Sequence, residues 1–115
     1  MATAEQAKLY DTTRPLLDAL YTEFQELSKK KPEATLSESK VKMINRLLED
    51  VRKVLEDELE FKYLDLLVNE SLPQNSDVVL MLSQYKAAME TFQGNYYGVD
   101  AETRRPRWFV DEEKG

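Results

Sequence analysis

Histidine and cysteine are both absent from this chain, so the acid–base groups that remain for catalysis or metal binding are carboxylates, and these occur in two close pairs. Glu23 and Glu26 form an E-x-x-E, and Asp57 and Glu60 a D-x-x-E. Side chains three residues apart on a helix lie on one side of it, about one turn from each other. Two such pairs facing one another could hold a magnesium ion and a phosphate ester. The missing residues close most other routes. No imidazole base, no thiol nucleophile and no zinc or haem ligand set is possible, and the Glu-x-x-His motif of di-iron bundles cannot be assembled. Gly94, Gly98 and Gly115 are the only glycines, and none opens a helix after a strand, so there is no phosphate-binding loop.

The paired-carboxylate arrangement is similar to that of all-helical nucleotide pyrophosphohydrolases. That likeness implies a magnesium-dependent nucleotide phosphohydrolase using Glu23, Glu26, Asp57 and Glu60. The second pair departs from the family's pattern in the order of its acids and lies further along the chain than the pattern would place it. Helices rich in acid also produce such pairs by chance. The main expectation is therefore a protein without catalysis, cofactor or bound metal.

Composition agrees with a small folded domain. The 115 residues suffice for one core, and 42% apolar with 33% charged residues is ordinary for a globular chain. A formal charge of −6, from 16 basic and 22 acidic side chains, disfavours a nucleic-acid partner. The start, MATAEQAKLYD, has neither a basic nor an apolar leader region, and no stretch approaches the roughly 18 apolar residues of a membrane span. These features predict a cytoplasmic protein with no membrane association.

The clearest element spans residues 36–59. Val41, Ile44, Leu48, Val51, Leu55 and Leu59 recur at helical spacing and form one stripe, while Arg46, Glu49, Asp50, Lys53, Glu56 and Asp57 form a solvated face. Ser37 is the expected cap, with Leu36 and Val41 placed as a hydrophobic staple. The other helices are expected to pack against this one. Residues 3–29 carry Leu9, Leu16, Leu17, Leu20, Phe24 and Leu27 near one face, interrupted by Pro15. Either one helix kinks there or two helices meet; the shared phase of Leu9 favours the kinked continuous helix. Lys29, Lys30 and Lys31 before Pro32 read as a helix C-terminus. A further seam, Val78, Leu82, Tyr85, Met89 and Phe92, should be capped by Ser76 and closed at Gly94, leaving Leu80 off the stripe and directed at the preceding short segment.

Two stretches are apolar beyond the needs of a helix face. Residues 61–68, FKYLDLLV, read as a short helix wedged between longer ones, and Phe61, Tyr63, Leu66 and Val68 are the candidates for a sticky surface. Trp108 and Phe109 follow Arg104, Arg105 and Arg107, and would dock either on a partner or on the chain's own bundle. The expected architecture is an all-α up-and-down bundle of three long helices and one short, residues 1–94, followed by an irregular C-terminal tail, residues 95–115, docked or partly disordered. The expected role is that of an interaction or regulatory protein binding a protein partner or itself as a homodimer, through Phe61, Tyr63, Leu66, Val68, Trp108 and Phe109.

Overall fold

The computed structural model describes residues 2–68 and 70–110. The fold is mostly helical, with helices α1 (Ala4–Lys30), α2 (Glu38–Leu55) and α3 (Asn75–Tyr96), a 3₁₀ turn over Leu59–Tyr63, and two short strands, β1 (Tyr97–Val99) and β2 (Pro106–Trp108). Among the described residues no helix is long and apolar enough to cross a membrane.

α1 begins in a capping box. The Thr3 hydroxyl accepts from the Gln6 N–H at 3.0 Å, and the Gln6 side chain accepts from the Thr3 N–H at 3.0 Å. The helix runs unbroken through Pro15. Just ahead of the proline, the Thr12 and Thr13 hydroxyls donate to the carbonyls of Lys8 and Leu9, one turn back. Such bonds to the carbonyl one turn back tend to bend a helix, and here they sit just ahead of the proline. Lys29 and Lys30 lie in the last turn, where their charge opposes the partial negative end of the helix.

α2 starts as its sequence predicts, with the Ser37 hydroxyl accepting from the Lys40 N–H and both Leu36 and Val41 buried. It ends one turn early, at Leu55, which corrects the expected span of 36–59. Glu56, Asp57 and Glu58 follow at once, and three acids at the negative end of a helix dipole disfavour its continuation. Leu59 thereby loses the phase of the seam and is 90% exposed.

α3 is capped differently from expectation. Its first helical residue is Asn75, not a residue after Ser76. The loop between α1 and α2 supplies the missing acceptors: the Ala34 carbonyl takes the Asn75 N–H, the Pro32 carbonyl takes the Ser76 N–H, and the Lys31 carbonyl takes the buried Asn75 amide. Orphan N–H groups at a helix start are usually met by side chains, but here another loop's backbone meets them. At the other end α3 passes through Gly94 to Tyr96. Tyr96 packs on Phe92 with ring centroids 4.9 Å apart and donates to Glu58 at 3.1 Å, which anchors the last turn beyond the glycine.

These contacts fix the direction of each element. α2 and α3 both begin where α1 finishes and both run back toward its start, where Gln6 meets Lys53 and Tyr10 meets Gln93. The connection therefore travels back along the bundle, first through the 3₁₀ turn over Leu59–Tyr63 and then, over residues 64–68, as a strap outside regular secondary structure where the short helix over 61–68 is expected to continue. α1, not α2, is the central element: it packs along both of the other helices, which touch each other far less. Tyr85, Phe92, Leu17, Ile44, Leu48, Leu55, Leu82 and Met89 are the largest fully buried side chains of the single core.

Candidate functional site

The two carboxylate pairs do not meet. Asp57 lies at the start of α1, where it accepts from the Gln6 amide at 3.5 Å, whereas Glu23 lies beside Met43 on the later half of that helix. From Gln6 to Glu23 the helix rises by about 25 Å, so the pairs are too far apart to share one ion. Among the described residues no group of three or more acidic side chains is placed to hold a metal.

The strap is held by side chains that bond its backbone. Asn45 of α2 donates its amide N–H to the Leu67 carbonyl and accepts from the Leu67 N–H, both at 2.9 Å, as a neighbouring strand would. Arg52, two turns further along α2, donates to the Leu64 carbonyl and places its guanidinium 4.3 Å from the Phe61 ring centroid. From the other side the buried Tyr85 hydroxyl donates to the Asp65 carbonyl at 2.7 Å, and burial pushes its pKa up. Leu64, Leu67 and Pro73 are the buried residues among those described in the strap. Phe61 and Leu66 are half-buried, and Tyr63 and Val68 are exposed.

The C-terminal stretch folds back on its own bundle through a hairpin, where an irregular tail is expected from sequence. β1 and β2 pair antiparallel with Tyr97 opposite Trp108. The indole joins an aromatic cluster with Tyr10, Phe92 and Tyr97, at centroid distances of 4.9, 5.7 and 5.0 Å, and donates to Asp11 at 3.2 Å. Phe109 lies under the Arg107 guanidinium and donates its N–H to the Tyr96 carbonyl at 2.6 Å. Asp100 organises the turn, accepting from the N–H groups of Glu102 and Thr103 and from Arg107. Those bonds, the one from the Glu102 N–H first, hold its carboxyl below the usual carboxylate range. The acidic end, residues 111–115, lies outside the described residues.

A groove lies between α1 and α2. Its apolar section, about 330 Å³, is lined by Leu16, Ala19, Leu20, Met43 and Leu47, with Glu23 at the edge. A polar section of about 520 Å³ is lined by Glu5, Lys8, Thr12, Asp50, Lys53, Glu56 and Asp57, among others. Thr12 and Leu16 are one turn apart on α1, and Leu47 and Asp50 nearly so on α2, so the two sections adjoin along the α1–α2 seam. Leu16 is 55% and Met43 54% exposed, despite their size.

By spacing Leu16 belongs to the expected core stripe of α1, and Met43 to no expected seam. A signal was present in both helices. Leu9, Leu16, Leu20 and Leu27 share a line about 80° around α1 from Tyr10, Leu17 and Phe24, and Met43, Leu47 and Val54 share a line beside the buried seam of α2. Each helix thus carries a second apolar edge next to its core face. No protein-family model, curated protein or solved structure matches this chain.

Proposed function

We propose that the protein is a non-catalytic interaction or regulatory protein that receives an amphipathic helix of a partner along the α1–α2 groove. One observation carries this reading: Leu16 and Met43 stand more than half exposed over an apolar floor between two helices, the surface into which a third helix packs with its own apolar stripe. Charge selects the kind of helix. Glu5, Glu23, Asp50, Glu56 and Asp57 outnumber Lys8 and Lys53 along the groove, and Lys53 is itself 3.5 Å from Asp50, so a basic helix is favoured over an acidic one. The groove extends about 27 Å from Glu5 to Glu23, room for a helix of roughly 18 residues.

A labelled 18-residue Leu/Lys amphipathic helix, titrated at physiological ionic strength, tests this. The wild-type chain should bind it at least tenfold tighter than a Leu/Glu helix of the same pattern, and Met43→Asp should weaken binding at least tenfold although it adds an acid. Undiminished binding to Met43→Asp would mean that net charge alone attracts the peptide, and would overturn the reading.

A further inference from the structure

α3 presents a second surface, away from the groove, that is free of charge in a chain where 33% of residues are charged. Of its 22 residues only Asp77, Lys86 and Glu90 carry charge. Asp77 closes the N-terminus by accepting from the Gln74 N–H, while Lys86 and Glu90 turn toward α1, 3.5 Å from Asp18 and 3.6 Å from Arg14. What remains outward is a line of exposed residues, Leu80, Gln84, Ala87 and Thr91, at spacings of 4, 3 and 4. That is one stripe of a helix.

The stripe carries a projection and a hollow. Leu80 is 64% exposed, although a leucine off the seam was expected to be covered by the short segment before α3. Two turns further on, Tyr63, Leu64, Ala87, Ala88 and Thr91 line a hollow of about 290 Å³, with Glu60 and Gln84 at its margin. A cavity of about 150 Å³ already admits a benzene-sized group, so a leucine side chain fits. Gln84 stands midway between residue 80 and residue 88.

We infer that two copies of this chain associate through the outer face of α3, antiparallel about a two-fold axis at Gln84, with Leu80 of each copy seated in the hollow beside Tyr63 of the other. A two-fold contact uses the same patch twice, so projection and hollow must lie at equal distances on either side of the axis. Leu80 and Ala88 each lie about 6 Å from Gln84 along the helix. The Gln84 amide, both donor and acceptor, pairs with its own copy across the axis. Ala87 is small enough for the helices to approach closely. A chain of net charge −6 repels itself elsewhere, whereas the α3 stripe brings no charge of its own to the contact, Glu60 beside the hollow coming from the 3₁₀ turn.

Because the chain has no cysteine, Gln84→Cys creates a single thiol. Helix axes 8–10 Å apart would bring the two residue-84 Cα atoms to about 4–5 Å, within disulfide range. Mild oxidation should convert Gln84→Cys to a covalent dimer and leave Arg46→Cys, on the outer face of α2, monomeric. In sedimentation equilibrium the wild type should be a dimer. Leu80→Asp, at an exposed position, should keep its circular dichroism and raise the dimer dissociation constant at least tenfold. A wild type that stays monomeric up to about 100 μM, a dimer indifferent to Leu80→Asp, or equal cross-linking at residues 46 and 84 would each overturn the inference.

Discussion

α2 and the strap over residues 56–74 lie side by side against the same core, yet they are held by different physics. α2 satisfies its own backbone and needs its neighbours only for its apolar stripe, whose Val41, Leu48, Val51 and Leu55 are fully buried. The strap has no ladder of its own over residues 64–68. Its polar backbone groups are met by Asn45, Arg52 and Tyr85, side chains distant in sequence, and its apolar anchorage comes from Leu64 and Leu67. A buried segment outside secondary structure is stable where such partners exist, because an unpaired buried N–H or carbonyl costs about 1–3 kcal/mol. The fourth layer of a helical bundle need not be a helix if its neighbours carry the right polar groups.

The two modes of support should break differently. Leu48→Ala, in the α2 seam, should cost about 2–5 kcal/mol by leaving a cavity, and urea denaturation should show it as loss of the whole fold in one transition. Asn45→Ala should cost about 1–3 kcal/mol by orphaning both polar groups of Leu67. Its distinguishing mark is local: amide exchange should accelerate over residues 64–68 more than in α2. Tyr85→Phe, which deprives the Asp65 carbonyl of its donor and little else, should cost about 1–1.5 kcal/mol. A result in which Asn45→Ala and Leu48→Ala accelerate exchange equally in both regions would erase the distinction. Ser37→Ala should cost about 1 kcal/mol and act on α2 alone.

The smallest effect belongs to the hairpin and depends on pH. The Asp100 carboxyl titrates below its ordinary value in the folded chain, so the stability it contributes is present above the unfolded carboxylate pKa and is lost as pH falls through the folded one. Acidification below the usual carboxylate range should therefore loosen the turn before the helices melt. Trp108 fluorescence should report it earlier than far-UV circular dichroism, and Asp100→Asn should remove most of the difference.

Much of the helical framework was legible because helix formation is local. The stripe at Val41, Ile44, Leu48, Val51 and Leu55, the Ser37 cap with its Leu36 staple, and the shared phase of Leu9 and Leu16 across Pro15 all follow from spacing and from groups within one turn. Leu59 misled, since its phase matched the stripe while three acids before it ended the helix. Gly94 misled for the opposite reason, because a favourable C-cap residue was overridden by the docking of Tyr96.

The candidate sites were less legible. Which apolar edge of α1 or α2 is covered depends on where the next helix lies, so the exposure of Leu16 and Met43 is a property of packing rather than of pattern. The same holds for Leu80, whose neighbour in sequence, the strap, runs elsewhere. Trp108 could be read as docked but not assigned a surface, since its partners Tyr10 and Asp11 lie at the far end of the chain. The sequence by itself determined where the three long helices form and where α2 starts, because caps and periodicity act within a few residues. Only the tertiary structure decided that residues 64–68 lie outside regular secondary structure, that the tail closes as a hairpin, and which leucines face water. Those outcomes rest on bonds and burial supplied by residues remote in the chain, whose proximity no local pattern encodes.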